Sequence, residues 1–237
     1  MSTNLLIKDQ NLQLSAKAPP PDDKLFERIA RGIETDGYVH LLAALPEVIT
    51  DSLLDYLAEL DGHNFRSANT GRGVARAHNR FVRRDRIHWM EETCPSASAW
   101  FDWTHHLKTF LNQRLILGLF SFECHFSHYR PGDFYRKHLD AFKGESNRVL
   151  SLVVYLNRGW QPDQGGELVI YSPEDGSELL KVTPEFATLA LFLSEEFPHE
   201  VLLTHRDRYT VAGWFRLNSS INDNIDPPRY EAGVNTH

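Results

Sequence analysis

The chain has 237 residues, of which 41% are hydrophobic and 24% are charged, so it can bury a core in one large domain or two small ones. Its formal net charge of −7 provides no overall basic field, which argues against a nucleic-acid partner or an anionic membrane surface.

Cysteine usage and the N-terminal sequence indicate the cellular compartment in which the protein is found. The chain has two cysteines, Cys94 and Cys124, which do not resemble a disulfide framework and are typical of a reducing environment. Residues 1–17 lack the basic region and apolar core of a signal peptide, and no apolar run approaches the roughly 18 residues needed to span a bilayer. We expect a cytoplasmic protein without a membrane partner.

The first half of the chain is predicted to form helical support for a later core. Residues 1–21 are polar, end in three prolines and are interpreted as a flexible N-terminal segment. Helices are indicated by acidic residues at their start, by apolar residues at helical spacing and by terminators such as Gly37. The predicted elements are a helix over 22–37, a strand over 38–42, a helix over 46–60, a strand over 87–90 and a helix over 96–117.

An arginine-rich segment lies between the second helix and the strand at 87–90. Residues 66–86 contain seven arginines, with Gly71 and Gly73 among them. Two interpretations stay open: a solvated loop or hairpin, and a flexible basic finger that grips an acidic or phosphate-bearing partner.

From residue 120 onward, short apolar runs alternate with turn signals about every ten residues, as in an antiparallel sandwich or barrel. The predicted strands are 120–129, 133–139, 149–156, 167–171, 178–182, 187–193, 199–204 and 208–216. Eight strands suit a double-stranded β-helix, or jelly roll. We therefore predict a mainly β fold in one domain over 22–217. Helical support (22–117) precedes a jelly-roll core (118–217), and residues 218–237 form a tail.

A candidate metal site lies at the end of the second predicted strand of this core. His138 and Asp140 are two residues apart, so on an extended strand their side chains point to the same face. An imidazole and a carboxylate form two thirds of the 2-His-1-carboxylate triad that leaves positions on Fe(II) open. The best candidate for the third ligand is His199, which opens the seventh strand.

The eighth predicted strand begins with an arginine that could be buried inside the barrel. Arg208 opens it and shares one strand face with Thr210, Ala212 and Trp214. If that face lines the barrel, the guanidinium needs a ligand carboxylate as partner, because an unpaired buried charge is costly. 2-Oxoglutarate fits, since its ketoacid end can chelate iron while its distal carboxylate meets Arg208. Tyr129 and Tyr155 could donate hydrogen bonds to the same ligand.

These residues, with several flanking motifs over roughly 30–216, resemble the Fe(II)/2-oxoglutarate dioxygenases. The resemblance is closest to the prolyl 4-hydroxylase branch, in particular the hypoxia-inducible-factor-type prolyl hydroxylases and their bacterial relatives. The motifs that carry it are Arg83-Arg-Asp-Arg-Ile-His-Trp89, Tyr129-x-Pro-Gly, Tyr155-Leu-Asn-x-x-Trp160, Gly165-Gly-Glu-Leu168, Pro198-His-Glu-Val and Arg208-Tyr-x-x-x-x-Trp214.

The resemblance implies a role for each matching residue. His138, Asp140 and His199 would bind iron. The cosubstrate pocket would hold the distal carboxylate of 2-oxoglutarate on Arg208 and Tyr155 and its other end on Tyr129, between Leu168 and Trp214. The substrate mouth would carry Arg148, Arg83, Asp85 and Trp89, with residues 66–86 as a mobile finger.

The implied reaction couples decarboxylation of 2-oxoglutarate by O2 to hydroxylation, most naturally at C4 of a prolyl residue. Fe(II), 2-oxoglutarate and O2 would be required, with ascorbate as a candidate addition. Bacterial relatives are associated with a proline of elongation factor Tu, which makes that protein the first candidate partner.

Two departures from the family leave the substrate open. The loop from Asp140 to Arg148 is one residue longer than in the animal relatives, and the finger is richer in arginine. A small molecule or a nucleobase is therefore an alternative substrate. Two further alternatives are a zinc hydrolase or cupin-type isomerase that uses the same triad, and a non-catalytic jelly-roll binding module. His125 and His128 lie three apart and so on opposite strand faces, which argues against shared metal ligation.

Overall fold

A computed structural model describes residues 22–68, 81–141 and 147–218. Its helices are α1 (Asp23–Asp36), α2 (Glu47–Glu59) and α3 (Ser98–Leu115), with short 3-10 turns at Pro95–Ala97 and Pro162–Gln164. Its strands are β1 (Tyr38–Leu41), β2 (Arg66–Ser67), β3 (Arg86–Trp89), β4 (Ser121–Tyr129), β5 (Tyr135–His138), β6 (Arg148–Tyr155), β7 (Leu168–Tyr171), β8 (Glu178–Val182), β9 (Leu189–Leu193), β10 (His199–Val201) and β11 (Arg208–Arg216).

The strands form two antiparallel sheets that build the predicted jelly roll. The large sheet has the order β1-β9-β6-β11-β4-β3-β2, and the small sheet has the order β5-β10-β7-β8. The eight strands predicted from residue 120 onward are all present as β4 to β11, four in each half of the roll. Mainly β architecture with supporting helices is confirmed.

The ends of α1 show how local sequence fixes the helical support. Asp22 caps the N-terminus of the helix, because its side chain accepts a hydrogen bond from the Leu25 amide at 3.1 Å. Gly37 caps its C-terminus and adopts a φ of 77°, which a residue without Cβ reaches without strain. Chain reversal at Gly37 then lets β1 join the edge of the large sheet beside β9.

Two cores lie on opposite sides of the large sheet. On its outer side, the helices pack against fully buried apolar residues such as Phe126, Leu152 and Phe215. On its inner side, residues of both sheets form a smaller core that includes Tyr155 and Ile170. Alternation of side chains along each strand therefore directs one set toward the helices and the other toward the space between the sheets.

Parts of the predicted organisation lie outside the described residues. This is true of the N-terminal segment 1–21, of 69–80 in the arginine-rich finger, of 142–146 in the loop before Arg148, and of tail residues 219–237. The domain boundaries at 22 and 217 remain predictions. No helix in the described ranges is long and apolar enough to cross a membrane.

Candidate metal and cosubstrate centre

Strand pairing in the small sheet brings the three candidate metal ligands together. His138 ends β5, His199 begins β10, and the two residues are register partners in the antiparallel pair. Asp140 follows β5 by two residues, and its carboxylate oxygens lie 3.6 Å from His138 Nε2 and 3.5 Å from His199 Nε2. One ligand atom from each residue lies within 4.8 Å of the others. This arrangement can hold a metal ion through two imidazoles and one carboxylate.

Backbone carbonyls orient both imidazoles. His138 Nδ1 lies 2.8 Å from the carbonyl oxygen of Arg136, and His199 Nδ1 lies 3.0 Å from that of Phe197. Each carbonyl can only accept, so each Nδ1 carries the proton and each Nε2 presents a lone pair. Fixing the tautomer in this way is the usual support for a metal-binding histidine.

A pair of buried serines supports the carboxylate. Ser151 Oγ, on β6, donates a hydrogen bond to Asp140 Oδ2 at 2.7 Å and lies 2.9 Å from Ser194 Oγ. Ser151 and Ser194 are 2% and 0% exposed, so solvent does not compete for these bonds. The Asp140 carboxylate is thereby held in one orientation from the large sheet, opposite the histidines.

The ionisation states of the triad suit a metal cation. Burial opposes ionisation of Asp140, but the neighbouring His199, His138 and Arg148 outweigh it and hold the pKa of Asp140 well below its usual range. Burial, followed by the proximity of His138, lowers the pKa of His199 to about 4. At neutral pH the site therefore offers a carboxylate and a neutral imidazole, the forms that bind metal.

A buried arginine lies on the inner side of the large sheet. Arg208, at the start of β11, is 1% exposed, and its Nε donates to the Gly166 carbonyl at 2.7 Å. Its guanidinium carbon lies 4.9 Å from the ring centre of Tyr129 and 5.2 Å from that of Tyr155. No described carboxylate pairs with Arg208, so the charge calls for an anionic ligand.

Three neighbours complete this end of the space between the sheets. The Tyr155 hydroxyl is buried and has no hydrogen-bond partner among the described residues, so it can donate to a polar group that enters this space. Gly166 has no side chain, and a Cβ there would approach Arg208 Cδ to 3.0 Å. Leu168, 2% exposed, belongs to the same inner core as Tyr129 and Tyr155.

Trp214 lies farther along β11, where a second arginine covers it. Arg148 stacks on the Trp214 ring, with its guanidinium carbon 3.5 Å from the ring centre. The Arg148 Nη2 donates to Glu123 Oε1 at 2.7 Å, and this carboxylate also pairs with Arg216 at 3.4 Å. The predicted mouth arginine is thus held in place by a buried acid.

The other three residues predicted for the substrate mouth contact residues of the site or each other. Arg83 and Asp85 make a two-pronged ion pair with N–O distances of 2.5 and 2.8 Å. Arg83 also lies over the ring of Tyr135 at 4.5 Å, and Tyr135 stacks on His138 with 3.6 Å between ring centres. Trp89 contacts Trp214 at a ring-centre distance of 6.2 Å. All four mouth candidates are therefore connected to the site.

Sequence reasoning did not identify four residues that support the site. Ser151, Glu123 and Tyr135 each contact a predicted site residue, and His125 lies between Trp89 and Trp214. The sequence does contain one signal for Ser151: it is a polar residue within an otherwise apolar strand, Leu150-Ser151-Leu152.

Comparison with known proteins agrees with this geometry. A family model described as the 2OG-Fe(II) oxygenase superfamily matches residues 124–216. A prolyl-4-hydroxylase from Pseudomonas putida has a similar structure, with a TM-score of 0.72 and 35% sequence identity; the match covers 81% of this chain and 98% of that chain.

Two more distant structures share the fold. A Trichoplax adhaerens prolyl hydroxylase, in complex with a hypoxia-inducible-factor oxygen-degradation-domain peptide, has a TM-score of 0.71 and 24% identity; the match covers 82% of this chain and 90% of that chain. A viral collagen prolyl hydroxylase from Paramecium Bursaria Chlorella virus-1 has a TM-score of 0.53 and 17% identity; the match covers 78% of this chain and 98% of that chain. A search of curated protein sequences gave no match.

The chain belongs to the 2OG-Fe(II) oxygenase superfamily. Within it, the chain is a 2-oxoglutarate-dependent dioxygenase of the prolyl 4-hydroxylase branch, and its cofactor and cosubstrates are Fe(II), 2-oxoglutarate and O2. This confirms the family resemblance and decides against the zinc-hydrolase and binding-module alternatives.

Proposed function

We propose that this enzyme hydroxylates C4 of a prolyl residue in a protein substrate. The observation that carries the proposal is the 35% identity to a Pseudomonas putida prolyl-4-hydroxylase over 98% of that chain. Elongation factor Tu is the first candidate substrate, which also makes the cytoplasm the proposed compartment.

In this proposal His138, Asp140 and His199 are the catalytic iron ligands. The donor set fits Fe(II), because imidazole nitrogen and carboxylate oxygen suit a borderline-to-hard cation and the site contains no thiolate. Bound iron, with 2-oxoglutarate and O2, supplies the oxidation that yields succinate, CO2 and one oxygen atom for a substrate C–H bond. The protein holds the ligands: the Arg136 and Phe197 carbonyls fix the imidazoles, and Ser151 fixes the carboxylate.

Arg208 would bind the distal carboxylate of 2-oxoglutarate. The buried guanidinium, already oriented by the Gly166 carbonyl, keeps donors that can hold a carboxylate in two-pronged geometry. The unpaired Tyr155 hydroxyl would donate to the same carboxylate, and Tyr129 would contact the opposite end of the ligand. Leu168 and Trp214 would form apolar walls that keep water from the reacting atoms.

Arg148, Arg83, Asp85 and Trp89 would form the substrate mouth. Two of them, Arg83 and Asp85, neutralise each other, so a substrate meets a rigid pair rather than a free charge. Trp89 is only half-buried and offers an apolar surface to a pyrrolidine ring. The mouth therefore combines apolar surface with fixed polar groups, as a peptide site requires.

The test is to incubate purified enzyme with Fe(II), 2-oxoglutarate, ascorbate and air, together with elongation factor Tu or a cell extract lacking the enzyme, and to map oxidised residues by mass spectrometry. We expect a mass gain of one oxygen on a specific proline, which is absent with His199→Ala. Turnover of 2-oxoglutarate with hydroxylation of a small molecule or nucleobase and no protein would contradict the proposal.

A further inference from the structure

His125 lies in the inner wall of the large sheet, at the level of the substrate mouth. On β4 it is the register partner of Trp89 on β3 and of Ala212 on β11. Directly opposite residues of antiparallel strands share a face, so His125 points to the same side as Arg208 and Trp214, into the space between the sheets. Ala212 beside it carries only a methyl group, and His125 itself is buried, at 2% exposure.

The imidazole is held by aromatic and polar contacts. It meets Trp89 edge-on with 5.0 Å between ring centres and lies 5.4 Å from the ring centre of Trp214. Its Nδ1 lies 3.2 Å from both the Phe126 carbonyl oxygen and Ser127 Oγ. Since the carbonyl can only accept, Nδ1 carries the proton and Nε2 presents a lone pair. No described residue hydrogen-bonds to that Nε2.

The surroundings keep this histidine neutral. Burial, reinforced by the positive charge of Arg83, lowers the pKa of His125 to about 3. The other charged groups that act on it are Asp85, which opposes the shift, and Arg148, which adds to it. At neutral pH His125 is therefore a hydrogen-bond acceptor at Nε2 and not a cation.

His125 is separate from the metal triad. The group of ligand atoms within 4.8 Å consists of His138, Asp140 and His199, which come from the small sheet and the segment after β5. His125 instead lies on β4 of the large sheet, where its ring contacts Trp89 and Trp214. The imidazole thus belongs with the mouth residues.

We propose that His125 is a specificity-determining residue whose Nε2 accepts a hydrogen bond from a backbone N–H of the peptide substrate. A prolyl residue has no backbone N–H and cannot donate itself, so we assign the donor to the amide of the residue that follows the target proline. The imidazole would then fix the position of that peptide unit, and the indoles of Trp89 and Trp214 would lie on either side of the peptide unit. This inference rests on the proposed prolyl hydroxylation.

The test is a double-mutant cycle between enzyme and substrate. The probe is a synthetic peptide carrying the proline that the wild-type enzyme hydroxylates, in two forms: the normal peptide, and one whose next amide N–H is replaced by an ester oxygen. We expect wild type to prefer the amide form by about tenfold in kcat/KM, the range of one hydrogen bond. His125→Leu is expected to lose this preference, and His125→Gln, which keeps an acceptor, to restore much of it.

His128→Gln is the matched control, because His128 lies on the same strand but pairs with Asp207 outside the site at 2.7 Å. It should keep the full amide preference. An unchanged preference in His125→Leu, or a wild-type enzyme indifferent to the ester, overturns the inference while leaving prolyl hydroxylation intact. A wild-type enzyme that hydroxylates no prolyl peptide overturns both, and that result is visible before any variant is made.

Discussion

The two sides of the large sheet are built from the same strands but carry opposite chemistry. On the helix side, Phe126, Val211 and Phe215 are fully buried and apolar. On the inner side, the same strands bury Arg208, His125 and other groups that prefer water. Burying polar groups without full pairing costs free energy, so the helix side stabilises the fold and the inner side depends on that stability for its function.

The largest expected effect concerns stability. Phe126→Ala removes a fully buried aromatic ring that packs edge-on against Tyr56 at 5.4 Å. We expect a loss of about 3–5 kcal/mol in the free energy of unfolding, measured by urea denaturation. Phe120→Ala, at a residue 60% exposed, is the control and should change it by less than about 0.5 kcal/mol. Equal effects would contradict the division between the two sides.

The next effect concerns the cosubstrate. Arg208→Ala should raise the KM for 2-oxoglutarate by the equivalent of about 2–5 kcal/mol, because it removes the partner of a desolvated carboxylate. A titration of turnover against 2-oxoglutarate measures this change. Arg31→Ala, on a side chain that is 74% exposed, should leave the KM unchanged. A normal KM in Arg208→Ala would show that the carboxylate binds elsewhere.

A smaller effect is expected at the support of Asp140. Ser151→Ala removes the 2.7 Å hydrogen bond to the carboxylate and should weaken Fe(II) binding by about 10- to 100-fold, measured by anaerobic titration. Ser194 contacts Ser151 and not the carboxylate, so Ser194→Ala should weaken Fe(II) binding less. A stronger effect of Ser194→Ala than of Ser151→Ala would show that Ser151 is not the main support of the Asp140 carboxylate.

The smallest effect, counted per pH unit, is a pH dependence of the free energy of unfolding that arises from a buried residue on the inner side of the large sheet. The pKa of His125 is about 3 in the folded chain against an ordinary value of 6.5, so between these values the unfolded chain binds one more proton. Stability should therefore fall as the pH is lowered from 6.5, by roughly 1 kcal/mol per pH unit for this residue. His125→Leu should flatten that slope in metal-free protein, and an identical slope in both proteins would argue against the buried neutral imidazole.

The strands and the triad could be predicted from the sequence because their signals are local. Apolar runs bounded by turns mark the eight strands, and the two-residue spacing of His138 and Asp140 predicted that their side chains converge, although Asp140 lies beyond the end of β5 and not on the strand. Contacts that depend on register could not be predicted in this way. Glu123 meets Arg148 across 25 positions, and the position of His125 opposite Trp89 requires the pairing of β3 with β4.

The most direct test of the central claim is succinate formation by the purified enzyme with Fe(II), 2-oxoglutarate and air, beside His199→Ala and Arg208→Ala. We expect the wild-type protein to produce succinate. We expect succinate formation to fall by at least about 100-fold in His199→Ala, and to fall in Arg208→Ala in a way that high 2-oxoglutarate partly restores. Equal succinate formation by all three proteins would contradict the assignment of the inner side as the iron and 2-oxoglutarate site.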